Sequence, residues 1–223
     1  MRITKRRARY KAGVQAEILE AAREIVVHQG YENFSMRALA ERIGYSTAAT
    51  YKHFKSKGEI FEHLADESFA SLMAASESVK SIAAEDPVDR LKRGMLAYVN
   101  FGLQNPDHYR IAFLLHQPGT TPPPKPTAAY AGLKSRVQSC VHTGKFRSGD
   151  IDLMAQSLWA AAHGITSLLI QKPAFPWVAR RRLIAQVIDS AVEGLLAQRQ
   201  RRNARRARNG NHNVRGQYPE QSV

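Results

Sequence analysis

The most constraining feature of the sequence is the tripeptide Gly44-Tyr45-Ser46, which separates two short segments with the periodicity of α-helices. Residues 36–43 carry an apolar stripe behind Ser35, a good N-cap residue. Residues 47–54 form a second helical run, for which Ser46 is the N-cap. Two short helices joined by a tight glycine-containing turn are typical of a helix-turn-helix, and the spacing predicts one here.

Helical patterns also flank this pair. Apolar residues at three-and-four spacing run through 14–26 and stop at Gly30, which predicts a first helix. Ser56 and Glu59 have the spacing of a capping box and open a longer helix towards Phe69. We therefore predict a compact three-helix head over residues 12–57.

The remaining pattern is helical as well, so the predicted fold class is all-α, with residues 58–198 as a second domain. Pro87 is placed to begin a helix, and Asn105-Pro106 breaks it and opens another that carries Tyr109, Ile111, Phe113 and Leu114. Residues 118–126 contain five prolines and predict a loop. Two long patterned segments, 151–169 and 178–195, are candidates for dimerisation. Periodicity alone favours an intramolecular core equally.

Positive charge is concentrated at the two ends of the chain. The formal net charge is +14, yet residues 12–198 hold 20 basic and 18 acidic residues. Residues 1–11 and 199–223 are predicted to be disordered basic arms, and their charge indicates a polyanionic partner. For the N-terminal arm we favour DNA contact, whereas the C-terminal arm is equally well explained as a solvated tail.

Cysteine usage and hydropathy predict a cytoplasmic protein. Cys140 is the single cysteine, which excludes an intramolecular disulfide and fits a reducing compartment. It is either a small apolar core residue or a redox sensor. No secretion signal is recognisable, and no apolar stretch is expected to reach the roughly 20 residues that span a bilayer, so no membrane contact is predicted.

The sequence contains no recognisable pattern of catalytic or metal-binding residues. No nucleophile with a base, carboxylate pair or phosphate-binding loop has the required spacing, so no enzyme activity and no cofactor are expected. His108, His116, His142 and His163 lack the spacing of a metal site. The rival function is a non-specific architectural nucleic-acid-binding protein, whose basic arms bind any duplex.

Residues 46–54 suit a helix that enters the major groove of DNA. That groove is about 12 Å wide, so the helix must carry small or polar side chains. Thr47, Ala48 and Thr50 are small enough to approach base edges. The side chains expected to bind phosphate are Tyr51, Lys52, His53, Lys55 and Lys57, although packing and a solvated surface explain the same residues.

The region 18–64 resembles the head of the TetR family of regulators. The resemblance is carried by Gly30-Tyr31, the block 35–40 (Ser-Met-Arg-Ala-Leu-Ala), Gly44-Tyr45-Ser46 and the block 50–57 (Thr-Tyr-Lys-His-Phe-Lys-Ser-Lys). It implies that Ser35 and Arg37 contact the DNA backbone, that Thr47, Ala48 and Ala49 face the bases, that Tyr51, His53 and Lys57 hold phosphates, and that Phe54 is core. Ala48 and Thr50 depart from the common pattern.

A second resemblance concerns the effector domain. The block 105–110 (Asn-Pro-Asp-His-Tyr-Arg), together with Trp159 and His163-Gly164, is similar to a TetR subgroup with a Trp-His-Gly signature. The resemblance implies that helices four to seven enclose a small-molecule effector. It also implies that the last two helices form a homodimer interface, so that two heads bind a palindromic operator and the effector relieves repression.

Aromatic residues supply the candidate effector contacts. An apolar cavity with sparse polar groups is expected of such a site. Aromatic stripes are also typical of an ordinary core, and His163, one turn after Trp159, fits a ring-stacked structural histidine. The candidate ligand-binding residues are Tyr98, Phe101, Tyr109, Phe113, Trp159 and His163.

Overall fold

The structure is a computed structural model that describes residues 2–77, 86–114 and 128–197. Within these ranges the chain is all-α, as predicted, and its one extended pairing is an isolated bridge between Phe146 and Leu196. The helices are α1 (Arg2–Gln29), α2 (Met36–Arg42), α3 (Thr47–Tyr51), α4 (Lys57–Glu77), α5 (Pro87–Gln104), α6 (Pro106–Tyr109), the π-helix Arg110–Leu114, α7 (Ala128–His142), α8 (Ile151–Gln171) and α9 (Arg180–Glu193).

The chain divides into two compact units. Unit one comprises Met1–Ser78, Asn100–Ala129 and Leu169–Gln171, and unit two comprises Val79–Val99, Tyr130–Leu168 and Lys172–Val223. The predicted boundaries after residues 11, 57 and 198 separate regions of different function rather than compact units, and they stay predictions. The proline-rich segment 118–126 and the tail 199–223 lie outside the described residues.

The core of unit one joins the first helices of the chain to a distant segment. Buried side chains of α1, α2 and α4 pack with Phe34 and Phe54 between them, so the predicted core role of Phe54 is confirmed. Ile111, from the π-helix, is 2% exposed and belongs to the same cluster. The head core therefore includes a residue more than 50 positions beyond residue 57.

The N-terminal segment differs from expectation. Residues 2–11, predicted to be a disordered arm, form the first three turns of α1. Arg, Lys and Ala have high helix propensity, and neither proline nor glycine precedes Gly13, so the helix extends through the basic segment. Disorder of this arm was therefore a wrong prediction.

The third helix is shorter than predicted. The pattern suggested a helix over 47–54, but α3 ends at Tyr51. Ser56 must cap α4, and its Oγ accepts from the N–H of Glu59 at 3.1 Å, so the chain leaves the helical conformation beforehand. The predicted capping box is half formed, because the Glu59 carboxylate accepts from the N–H of Lys55 rather than of Ser56.

Unit two is built on apolar faces of α5, α7, α8 and α9. Its buried residues include Leu91, Val137, Leu158 and Ile188. Cys140 is fully buried, and burial raises the pKa of its thiol to about 12. A protonated buried thiol is a poor nucleophile, which favours the small-apolar interpretation over a redox sensor.

Helix α8 changes one expectation from hydropathy. It is 21 residues long, and it is the one helix of the described residues that meets the length and composition of a membrane span. The prediction that no stretch approaches this length was therefore wrong, because Leu, Ile, Ala and Gly fill the spaces between sparse polar residues. Nearly half of its most apolar stretch is buried inside the protein, as in a core helix.

Candidate nucleic-acid interface and effector site

Capping and a glycine turn fix the helix-turn-helix. Ser35 Oγ accepts from the N–H of Ala38 and Ser46 Oγ from that of Ala49, each at 3.1 Å. Between the two helices Gly44 has φ 70°, a left-handed conformation that side-chain-bearing residues avoid. The turn thus sets the direction in which α3 leaves α2.

One side of α3 faces outwards. Ala48 is exposed, Tyr51 is 50% exposed, and Thr47 and Ala49 are half-buried. Thr50 is fully buried, and its Oγ1 donates to the Ser46 carbonyl at 3.4 Å. The prediction that Thr50 approaches base edges is therefore wrong, because this residue anchors α3 to the core.

The predicted phosphate ligands have different surroundings. Lys52 is exposed. Arg37 is also exposed and forms an ion pair with Glu41 at 2.9 Å, which raises the pKa of its guanidinium. Lys57 is half-buried, with its Nζ 4.4 Å from the centre of the Tyr31 ring, a cation–π geometry.

His53 is half-buried, and its Nδ1 has no hydrogen-bond partner among the described residues. The DNA-binding roles of these side chains, including those of Ser35 and Ser46, stay predictions.

Hydrogen bonds and ion pairs outside the hydrophobic core connect the helices of the head. Tyr45 Oη donates to Glu17 at 3.0 Å, which ties the turn to α1. Arg23 of α1 forms an ion pair with Glu67 of α4 at 2.7 Å, and Arg42 pairs with Glu24. Sequence reasoning missed these links, because no local pattern identifies partners 18 to 44 positions apart.

Three of the six candidate effector contacts meet in unit two. Trp159 Nε1 donates to Tyr98 Oη at 3.3 Å, and Tyr98 Oη lies 3.1 Å from His163 Nδ1. The Trp159 and His163 rings are 5.9 Å apart in a T-shaped arrangement, which is an edge contact rather than a stack, and a ligand contact by either residue stays a prediction. Burial lowers the pKa of His163, so its imidazole is neutral at pH 7.

The other three candidates belong to unit one. Tyr109 is fully buried and Phe101 is 5% exposed. The Tyr109 and Phe113 rings are 5.0 Å apart, and Phe113 packs edge-on against Phe69 at 5.4 Å. These contacts are those of a core, and a ligand-binding role for the three residues stays a prediction.

Two side chains of α7 that the sequence did not single out lie in unit two, and one of them, Tyr130, joins the group around Trp159. The Tyr130 ring lies 6.3 Å from that of Trp159, and its Oη donates to Asp152 at 3.2 Å. Arg136 is half-buried and lies against Gly94 of α5. The available signal in the sequence was Arg136 itself, a charged residue among the apolar positions of α7.

Two family models match the sequence, one over the head and one over the second helical region. The model described as bacterial regulatory proteins, tetR family, matches residues 18–64, which contain the helix-turn-helix. The model described as tetracyclin repressor-like, C-terminal domain, matches residues 91–195. Neither description mentions a Trp-His-Gly signature, so membership of that subgroup stays a prediction.

Individual relatives agree with this assignment. The chain is 35% identical over 82 residues to the transcriptional repressor AcnR of Corynebacterium diphtheriae, a match covering 37% of this chain and 40% of that protein. It is 25% identical over 181 residues to the transcriptional activator FasR of Mycolicibacterium smegmatis, covering 81% and 78% of the two chains.

A solved structure shares most of the fold. The TetR family regulator PfmR of Thermus thermophilus superimposes with a TM-score of 0.61 at 26% identity, covering 81% of this chain and 99% of that one. The two family matches together cover about two thirds of the sequence. The helix-turn-helix, the helical second region and these matches agree, and the chain belongs to the TetR family of bacterial regulatory proteins.

Proposed function

We propose that this protein is a cytoplasmic, sequence-specific DNA-binding transcriptional regulator. It binds a palindromic operator as a homodimer, and a small-molecule effector releases it. The single observation that carries the proposal is α3, a short capped helix whose Ala48 and Tyr51 face outwards from a family-matched head. Small residues and a phosphate-binding hydroxyl on one exposed face are what major-groove entry requires.

The face of α8 supports a homodimer. Leu153 and Leu168 are 66% and 49% exposed, although both are large and apolar. Ser157, Ala160 and Gly164 lie between them at three-and-four spacing, so one helix face combines apolar ends with a small-residue centre. A second copy packing against this face would bury both leucines, with α9 beside it as the resemblance implies.

We propose that the protein represses transcription while it is bound to the operator. The effector releases it from DNA and so relieves repression. The names of the relatives include both a repressor and an activator, so family membership alone does not fix the sign. The aromatic and polar group around Tyr98 supports effector binding in unit two. Ligand binding there would act by favouring one of two arrangements of the heads.

The decisive experiment is a selection of bound DNA from a random pool by the purified full chain. We expect an enriched inverted repeat that binds about 10³-fold more tightly than random DNA. Tight, salt-sensitive binding with no enrichment would instead establish the architectural function, which the net charge of +14 and the basic start of α1 favour. No binding at all would overturn both functions.

A further inference from the structure

The aromatic ring of Tyr31 contacts the start of α4 through two side chains. Tyr31 lies two residues after the end of α1 and is 8% exposed. Lys57 Nζ lies 4.4 Å from the centre of this ring. Phe61, one turn after Lys57, meets the same ring in a T-shaped contact, with 5.1 Å between the ring centres. The start of α4 therefore holds its lysine against a ring that belongs to the head core.

Lys57 differs in this respect from the other lysines near α3. Lys52 and Lys55 are exposed, whereas Lys57 is half-buried. A lysine has a long flexible side chain, which loses conformational freedom when its ammonium binds a ligand. Contact with a buried ring restricts Lys57 before any ligand is present. Binding through Lys57 should therefore cost less conformational entropy than binding through either exposed lysine.

The ring restricts Lys57 without neutralising it. Arg37, another cation of the head, is paired with the carboxylate of Glu41 at 2.9 Å. Lys57 has no carboxylate within ion-pair distance among the described residues. The face of an aromatic ring attracts an ammonium but carries no net charge, and an ammonium has three N–H donors. The charge of Lys57 therefore stays available to an anion.

The backbone that carries Lys57 is fixed as well. Phe54, between α3 and α4, is 1% exposed in the head core. Ser56 caps α4, because its Oγ accepts from the N–H of Glu59. The Lys57 side chain is thus the part that needs orientation, and the Tyr31 ring supplies it.

We propose that Tyr31 is a positioning residue for DNA binding, which orients the ammonium of Lys57 towards a phosphate and leaves its charge intact. The inference rests on the proposed function, because it concerns how the head holds a duplex. Phosphate contacts position a protein on DNA and carry no sequence information. The ring of Tyr31 therefore contributes affinity for every duplex, and it acts through Lys57 rather than by contact with DNA.

The test is a double-mutant cycle in the full chain, measured as the dissociation constant for a duplex of random sequence. Lys57→Gln should weaken binding by about tenfold, because a charge-assisted contact is lost. Tyr31→Leu, which keeps an apolar side chain, should weaken binding by about two- to fivefold, the size of a cation–π contact. When Lys57→Gln is already present, Tyr31→Leu should change the affinity by less than about twofold.

Two further variants separate positioning from a merely structural role. Tyr31→Phe keeps the ring and should bind DNA within about twofold of the unaltered chain. Lys55→Gln removes a neighbouring exposed cation, and in that background Tyr31→Leu should keep its full effect.

A second measurement serves if Tyr31→Leu does not fold. Phenylalanine with one, two or three ring fluorines replaces Tyr31, because fluorine weakens the negative face of a ring at nearly constant size. Affinity should fall with each fluorine when Lys57 is present and stay constant in Lys57→Gln.

An equal loss from Tyr31→Leu with and without Lys57→Gln would overturn the proposal. An unchanged affinity in Tyr31→Leu, or a loss in Tyr31→Phe as large as in Tyr31→Leu, would also overturn it. An enriched operator together with an additive cycle would remove the role of Tyr31 and leave the regulator intact. A coupled cycle without an enriched operator would keep that role in a non-specific DNA-binding protein. No binding to any duplex would overturn both.

Discussion

Thr47 and Tyr51 stand one turn apart on α3 and should contribute to DNA binding in different ways. Tyr51→Phe removes a hydroxyl that we expect on a phosphate, so operator and random duplexes should lose affinity equally. Thr47→Ala removes a base-facing hydroxyl and should change preference at one base position by about 1 kcal/mol. Titrations against the selected operator and single-base variants measure both effects.

Thr50→Ser is the matched control, because Thr50 is buried and should not contact DNA. A uniform loss in Thr47→Ala would refute its base-reading role. Altered base preference in Tyr51→Phe would refute the phosphate assignment.

His163 gives unit two a pH dependence whose sign follows from its surroundings. Burial lowers the pKa of His163 below its ordinary value of 6.5, so the unfolded chain takes up this proton more readily than the folded one. Between the two pKa values unfolding is linked to proton uptake. The free energy of unfolding should therefore decrease as the pH falls below about 6.5 and level off below the folded pKa.

Denaturant unfolding between pH 7 and pH 5 measures this dependence. His163→Gln should have a shallower slope than the unaltered chain, whereas His142→Gln, at an exposed position, should preserve it. Burial lowers the pKa of His108, and the positive charge of Arg23 lowers it by a smaller amount. His108 therefore accounts for part of the pH dependence that His163→Gln retains. An unchanged slope in His163→Gln would contradict the assignment.

At the residue scale, local chemistry was predictable and distant partners were not. Ser35, Ser46 and Ser56 cap helices as their positions indicated, because capping depends on residues three positions away. Thr50 was assigned to the DNA side because its size fits base edges. Its burial depends on how α3 packs, which local spacing does not encode.

The element that orients α3 is the turn at Gly44. An alanine there must adopt φ 70°, which costs about 1 to 2 kcal/mol. Gly44→Ala should lower the free energy of unfolding by that amount and weaken operator binding further, since α3 changes direction. Chemical denaturation and operator titration provide the two readouts.

Gly13→Ala is the comparison within the same unit. Gly13 is exposed inside α1, and a Cβ there meets nothing within 4 Å. Replacing it should therefore stabilise the protein by up to about 1 kcal/mol through helix propensity. If Gly44→Ala were equally harmless, the turn would not require a left-handed residue.

The sequence predicted which helices exist better than where they end. Strong periodicity identified α1, α2, α4, α5, α8 and α9. The early end of α3 at Tyr51 and the π-helix after Tyr109 had no periodic signal of their own. Both depend on where Phe54 and Ile111 must lie to enter the head core.

For the whole molecule, the proposed dimer makes Leu168 a sensitive position. Leu168→Asp places a charge on an exposed apolar face of α8 and should convert a dimer into a 24.9 kDa monomer in light scattering. Operator affinity should fall by about 100-fold or more, because the second head no longer binds as part of the same molecule.

Gln138→Asp introduces the same charge at an exposed position of α7 and should change neither measurement. A Leu168→Asp protein that stays dimeric would exclude this face of α8 from the interface.

The basic start of α1 should add sequence-independent affinity. Deleting residues 1–11 removes six cations, so binding to all duplexes should weaken. The slope of log affinity against log salt should also become shallower. Base preference in the selection should not change, because phosphate contacts carry no sequence information. A salt slope equal to that of the full chain would rule out phosphate contact by this segment.

Ile111 has a consequence for how the protein is made. It completes the hydrophobic core that contains Ile18, Leu39 and Phe54, so the head is unfinished while the ribosome is still translating the intervening segment. At bacterial synthesis rates of about 5–20 residues per second, the stretch from residue 58 to residue 111 adds about 3 to 11 seconds. A nascent chain that has not reached Ile111, or a protein truncated before it, would therefore contain the complete helix-turn-helix sequence without the complete core that stabilises it.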